Sequence, residues 1–275
     1  MLGILNVTPD SFSDGGRFLD FDAAVACGLR LVEQGADIVD VGGESTRPGA
    51  SRVDETEELR RVIPVIRALA DAGVRVSVDT MRGHVAARAL DEGAVLVNDV
   101  SGGLADPSML PVLADSAAPC VLMHWRAHAR HMDRHATYGS VVDDVLAELG
   151  ARVDAAVAAG VAAGNIVLDP GLGFAKTPEQ TWSLLAAIPK LHKLGFPLLV
   201  GASRKRFLAE CVDYGECDRA RPADRDDASS SVAALAAAAG AWGVRVHEVG
   251  PAAAAVRVAA RLDAARAEPA RAAGR

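Results

Sequence analysis

The chain has 275 residues, half of them apolar and 24% charged, and a net charge of −7. That length buries the core of one large domain, and the acidic balance excludes wholesale nucleic-acid binding, so any anion site must be a local cluster of Arg and Lys. No apolar stretch is long enough for a membrane span, and no basic residues precede the N-terminal apolar run as in a signal peptide. Cys27, Cys120, Cys211 and Cys217 lack metal-ligand spacing, so a cytoplasmic protein with reduced thiols is expected.

The first apolar run, Leu2–Asn6, stops at an uncharged amide, and a loop rich in turn formers follows to Gly16. An apolar run, one functional side chain and then a loop is how a parallel strand delivers chemistry to the end of a sheet. Runs at 37–41, 74–79, 95–99, 120–124, 166–169, 198–201 and 243–247 repeat the event. Helical spacing fills the gaps: Leu59, Val62, Ile63 and Ile66 fall on one face, as do Val145, Leu149, Val153 and Val157. Strand then helix, eight times over, predicts a single-domain α/β fold, a (β/α)8 TIM barrel spanning 1–264. An open doubly wound sheet is disfavoured because no Gly-rich phosphate fingerprint follows the first strand. Residues 265–275, rich in Ala and Arg with little to bury, are expected to fray or to be disordered.

In such a barrel all strand ends open on one mouth. Read in order, they bring Asn6, Gly42–Gly43–Glu44, Asp79, Asn98 with Asp99, His124, Asp169, Ser203–Arg204–Lys205, and Arg245 with His247. A single buried Asp or Asn is commonly a satisfied structural group, but a whole ring is not, since each costs about 2–7 kcal/mol unless hydrogen-bonded. Asp79, Asn98, Asp169 and Lys205 supply acceptors, an amide and one cation, which suits a flat heterocycle with a guanine-like edge of N–H donors. Arg47, Arg204, Arg245 and His247, with Asn6, suit a phosphate.

The loop Gly42-Gly-Glu-Ser-Thr-Arg-Pro-Gly49 is too rich in Gly and Pro for a helix and reads as a flexible cover over an anionic group. Gly201-Ala-Ser-Arg-Lys-Arg206 is expected to open a helix whose free N–H groups and Ser203 hydroxyl hold a carboxylate or phosphate, the plainer alternative being an ordinary Ser N-cap. His124, His128, His131 and His135 mimic metal-ligand spacing, but their segment alternates Arg with His and has no apolar face, which favours a solvated loop over a zinc site. There is no Ser/His/Asp elbow and no Cys beside a base. The residues alone point to an enzyme that joins or splits a phosphorylated heterocycle.

Eight segments, in order over about residues 1–250, closely resemble the dihydropteroate synthase family, the target of sulfonamides. They are Asn6-Val-Thr-Pro-Asp-Ser-Phe-Ser-Asp-Gly-Gly16, the 42–49 loop, Ser77-Val-Asp-Thr80, Val97-Asn-Asp-Val-Ser-Gly-Gly103, Leu122-Met-His124, Leu168-Asp-Pro-Gly-Leu-Gly-Phe-Ala-Lys176, Gly201-Ala-Ser-Arg-Lys205 and Arg245-Val-His247. The resemblance implies condensation of 6-hydroxymethyl-7,8-dihydropterin diphosphate with 4-aminobenzoate, giving 7,8-dihydropteroate and pyrophosphate, in a homodimer. By position, Asp79, Asn98, Asp169 and Lys205 would hold the pterin, Met123 would line its pocket and Arg245 would stack on the ring. Asn6 would help bind Mg²⁺ with the pyrophosphate, assisted by Arg245 and His247. Phe12 and Asp14, and Thr46, Arg47 and Pro48, would lie on loops that close to build the 4-aminobenzoate pocket, with Ser203 receiving its carboxylate. In this reading Asp14, Arg47, Lys205, Arg245 and His247 serve catalysis, which proceeds by loss of the leaving group ahead of attack.

Three departures from the family pattern carry expectations. Gln180-Thr181 stand where His-Asn is frequent, at a helix start, with a modest structural effect expected. Glu248 stands where Asp is usual, and its extra methylene is expected to shift the partner of His247 or Arg245. The chain begins almost at the first strand, so a segment that plugs the barrel bottom in the family is expected upstream, or stability is expected to be lower. Glu44 and Asp99 are expected either to brace loop backbone or an Arg, or to touch substrate. Two other functions compete: a non-catalytic pterin-binding paralogue, expected to lose Phe12, Arg47 or Ser203, and the pterin-binding barrel of corrinoid-dependent methyltransferases, which needs a further module.

Overall fold

The computed structural model describes residues 1–8, 17–44, 52–128, 130–212 and 221–267. Eight short strands, β1 (Leu2–Asn6), β2 (Ile38–Gly42), β3 (Val76–Asp79), β4 (Ala94–Asp99), β5 (Cys120–Met123), β6 (Ile166–Asp169), β7 (Leu199–Val200) and β8 (Gly243–Val246), pair in parallel in the order β6-β5-β4-β3-β2-β1-β8-β7. A bridge between Leu168 and Leu198 joins β6 to the start of β7 and closes the (β/α)8 barrel that the strand–helix alternation predicts. Helices α1 (Arg17–Glu33), α2 (Glu55–Asp71), α3 (Gly83–Asp91), α4 (Met109–Ser116) and α5 (Val141–Ala158) follow the first five strands. After β6 come α6 (Pro178–Ala186) and the short α7 (Ile188–Leu191), after β7 comes α8 (Asp226–Ala238), and α9 (Val249–Ala267) follows β8.

Local chemistry sets the helix starts. The Asp54 carboxylate accepts from the Glu57 amide at 2.8 Å and begins α2. At α6, Thr177 and Gln180 exchange reciprocal bonds of 3.3 and 2.9 Å in a capping box, and Gln180 also donates to the Ala136 carbonyl at 3.1 Å. Gln180 therefore acts on the helix start. Along α5, Val145, Leu149 and Val153 are buried as the spacing predicts, but Val157 is 46% exposed and Ala156 takes its place. Steps of four residues overshoot a helical turn by about 40° each, so the fourth member has rotated off the face. On α2 the buried line is Glu58, Val62, Val65, Ile66 and Leu69, with Leu59 and Ile63 at its margin.

Strand side chains alternate between two environments. Leu5, Val39, Val41, Val78, Val97, Leu122 and Leu168 join the main core beneath the helices, while Leu2, Ile38, Leu96, Val121, Val167 and Leu199 form a separate cluster inside the barrel. Burying each such side chain contributes about 1.5–3 kcal/mol. This plug fills the N-terminal half of the barrel and leaves the C-terminal half for polar groups.

Candidate active site

Strand register gathers much of the site. Asn6 pairs with Gly42, Gly42 with Asp79 and Asp79 with Asn98, so the four share one level, while Met123 pairs with Asp169 across β5 and β6. Arg245 reaches in from β8. Its Nη2 donates to Asp79 Oδ2 at 2.6 Å and its Nε to Asp40 Oδ2 at 2.6 Å, and that same Asp40 oxygen accepts from Asn98 Nδ2 at 2.9 Å. On the β7 side Gly201 keeps the space open: a Cβ there would lie 3.7 Å from Asp169 Oδ2, 3.8 Å from Arg245 Cβ and 4.0 Å from Lys205 Nζ. Met123 packs with Met81 and Val100, beside Phe174 and Trp125. Asp79, Asn98, Met123, Asp169, Lys205 and Arg245 thus converge on one end of the barrel.

Burial dominates the electrostatics. It pushes Asp79 up to about 7, against the pull of Arg245 and with the added push of Asp40. It also raises Asp169, with Lys205 opposing, and lowers Lys205 to about 8, with Asp169 opposing. Burial works against the Arg245 cation as well, yet Asp40 and Asp79 hold it above its ordinary value, so Arg245 is the fixed positive charge. Asp169 Oδ1 accepts from the Gly171 amide at 2.7 Å, and Lys205 Nζ donates to the Leu172 carbonyl and sits 4.6 Å from the centre of the Phe174 ring. Among the described residues nothing donates to Asp79 Oδ1 or Asp169 Oδ2. Each carboxylate keeps one accepting oxygen in reserve.

Other residues fall elsewhere. Asp99 accepts from the Ser101 amide and hydroxyl at 2.8 and 2.7 Å and from the Gly103 amide at 2.6 Å, so it braces the loop after β4. His124 is 1% exposed and lies outside the mouth, with Nε2 on Glu148 at 2.9 Å and Nδ1 on Lys176 Nζ at 2.9 Å. Arg204, expected on a phosphate, instead pairs with Asp226 at 2.7 Å and Glu248 at 2.8 Å. Glu248, expected to shift the partner of His247 or Arg245, has its own carboxylate on Arg204. Glu44 is held by Arg52 and Arg82, both at 3.0 Å.

The segment after β7 does not open an α-helix as expected. Arg204 has a left-handed φ of 61°, and a 3-10 helix, Arg206–Cys211, follows. Ser203 is no N-cap: its Oγ lies 2.9 Å from His247 Nδ1 and accepts from the His247 amide at 3.1 Å. The Asn6 side chain makes no hydrogen bond among the described residues, and its Oδ1 faces Gly42. Phe12, Asp14, Thr46, Arg47 and Pro48 lie outside the described residues. Three contributors escaped the sequence reading: Asp40, Phe174 and Lys176. For Asp40 the signal was an ionisable residue inside a strand otherwise apolar throughout, since a parallel strand is buried on both faces.

Comparison with known proteins agrees with this geometry. Residues 2–247 match the model of the pterin-binding enzyme family. The dihydropteroate synthase of Mycobacterium leprae is 54% identical over 251 residues, covering 90% of this chain and 88% of that one. A Xanthomonas albilineans dihydropteroate synthase solved with 4-aminobenzoic acid superposes with a TM-score of 0.87 at 42% identity, covering 98% of this chain and 93% of that one. The same enzyme in complex with 7,8-dihydropteroate gives a TM-score of 0.84 at 41% identity, covering 98% of this chain and 94% of that one. With the barrel, the polar ring and these matches together, the chain belongs to the pterin-binding enzyme family and, within it, to the dihydropteroate synthases.

Proposed function

We propose that the protein carries out its family's condensation, joining 6-hydroxymethyl-7,8-dihydropterin diphosphate to 4-aminobenzoate, by a dissociative route. The observation that carries this reading is the pair of unused oxygens, Asp79 Oδ1 and Asp169 Oδ2, on either side of Arg245 and Lys205. A pterin has amino and ring N–H donors on one edge and acceptors on another, which match these carboxylates, the Asn98 amide and the Lys205 ammonium. Asp40 and Asp79 grip the Arg245 guanidinium by its edge, leaving its flat face to stack on the ring. Met123 lines the pocket.

The bond from the exocyclic carbon to the diphosphate breaks first, the electron pair leaving with pyrophosphate and the cation spreading into the electron-rich dihydropterin. The aniline nitrogen then attacks that carbon and sheds a proton. Arg245 and His247 stabilise the departing charge, together with Arg47, while the Asp14 carboxylate favours the cation formed on the pterin; Lys205 steadies the pterin carbonyl side. Phe12, Thr46, Pro48 and Ser203 form the 4-aminobenzoate pocket in this proposal. The uncommitted amide oxygen of Asn6 would hold a Mg²⁺ ion, which as a hard cation accepts such an oxygen and would neutralise pyrophosphate charge. A homodimer is supported by exposed apolar groups on neighbouring helices, Leu235 of α8 and Val258 and Leu262 of α9. No helix among the described residues is long and apolar enough to cross a membrane, and a cytoplasmic location is proposed.

Pyrophosphate release is the test, measured from the pterin diphosphate with and without 4-aminobenzoate and with a series of substituted anilines. Turnover whose rate is insensitive to aniline basicity is expected. Rates that climb with basicity overturn the dissociative route, and release under neither condition overturns the enzyme reading.

A further inference from the structure

The segment joining β6 to α6, from Pro170 to Thr177, supplies three contacts to the pterin end of the barrel. The Gly171 amide holds Asp169 Oδ1 at 2.7 Å, the Leu172 carbonyl holds Lys205 Nζ, and the Phe174 ring lies 4.6 Å from that same ammonium. Its backbone is tightly bent: Gly171 has a φ of +66°, and a Cβ there would run into the His124 carbonyl. Something must hold this bend in one conformation. Lys176 does so from behind. Its Nζ donates to the Gly171 carbonyl at 3.0 Å, the Phe174 carbonyl at 3.1 Å and His124 Nδ1 at 2.9 Å. Three acceptors meet the three hydrogens of an ammonium, with none left over.

The third acceptor is itself set in place. Burial, then the Lys176 charge, push His124 down to about 3, so the ring is neutral; it accepts at Nδ1 and donates from Nε2 to Glu148 at 2.9 Å. Arg126 completes the chain by donating to the same Glu148 carboxylate at 3.1 Å. Lys176 is 8% exposed and touches none of the groups assigned to the pterin, so the reaction scheme leaves it without a role. An ammonium is costly to bury merely to close a loop.

We infer that Lys176 is a positioning residue for the pterin site, its ammonium clasping the Gly171 and Phe174 carbonyls so that the loop presents one amide to Asp169 and one carbonyl and one ring to Lys205. The inference rests on the proposed placement of the pterin between Asp169 and Lys205. Burial, and next the Lys205 charge, pull Lys176 down to about 7, with Asp169 and Glu148 opposing and Arg126 adding to the fall.

The experiment is steady-state kinetics of Lys176→Met, and of Lys176→Gln where the first fails to fold, beside hydrogen exchange of the 170–177 amides. Loss of the clasp is expected to raise the KM for the pterin diphosphate about ten- to a hundredfold while the KM for 4-aminobenzoate moves less than about threefold. Amides of the loop exchange faster and those of β2 and β3 do not. Both KM values rising together with global loss of protection, or neither changing, overturns the inference. Failure of the unsubstituted protein to release pyrophosphate in the same assay overturns the proposed function instead, so the two failures are distinguishable.

Discussion

Arg82 and Arg245 are each gripped by two carboxylates, one outside the barrel and one inside. Arg82 donates to Glu44, to Glu58 and to the Val53 carbonyl, while the other Glu58 oxygen accepts from Thr80 Oγ1 at 2.6 Å. Arg245 joins Asp40 to Asp79, and there Asp40 Oδ1 and the nearby Ser77 Oγ are buried without a partner among the described residues. Charge and burial are alike in the two clusters; what differs is saturation. A network with every valence filled fixes backbone, here the two ends of the loop after β2. A network left with spare acceptors at the end of a closed barrel is available to a ligand.

Removing each cation in turn is the sharpest way to break that contrast. Arg245→Met leaves Asp40 and Asp79 buried without their cation, and a loss of about 3–5 kcal/mol in unfolding free energy is expected. Turnover should fall together with it, by about 10²–10³-fold. Denaturant titration and pyrophosphate release read the two effects, and near-normal turnover would dissolve the distinction. Arg82→Met should cost about 1–3 kcal/mol of stability and leave pterin affinity within about threefold, as judged by calorimetry.

Titration sharpens the comparison further. Asp79, at about 7 in the free protein, is expected to ionise fully when pterin N–H donors arrive, because donors favour the charged form. Between its lower value in the complex and about 7, binding then releases a proton. Pterin affinity should therefore strengthen as pH rises, by up to about tenfold per unit, and level off above about 7. Asp79→Asn should flatten the profile; an unchanged slope would assign the titration to another group. The smallest effect belongs to Glu248→Asp. The Glu248–Arg204 pair is half-exposed, so stability should move by less than about 1 kcal/mol and kcat/KM by less than about threefold.

Much of this site was legible because several strands carry a polar side chain at or next to their ends. Asn6, Asp79, Asn98, Asp169 and Arg245 were found in that way. The same signal misplaced His124 and left Asp99 open between bracing its loop, which it does, and touching substrate, for a reason of geometry: successive residues on a strand point to opposite faces. Asn98 and Met123 face the barrel interior, so their immediate successors turn outward, and polarity alone does not say which of two neighbours turns in. Arg204 was misread because a run of basic residues carries no record of backbone handedness, and its left-handed φ sends the guanidinium to Asp226. Lys176 lay in a motif noticed in the sequence, but two of its three partners are carbonyl groups of its own loop, which no pattern of side chains encodes.

The closure of the barrel between β6 and β7 has a consequence for how ligand and fold depend on each other. Among the described residues an isolated bridge at Leu168 and Leu198, which includes the Leu168 amide on the Pro197 carbonyl at 2.9 Å, laces this joint, and β7 is two residues long. Asp169 stands on one side of that seam and Lys205 follows from the other. In the proposed placement a pterin spanning them would act as a rivet across the thinnest weld of the cylinder, binding would tighten the scaffold itself, and protection of the Leu168 amide should climb with occupancy.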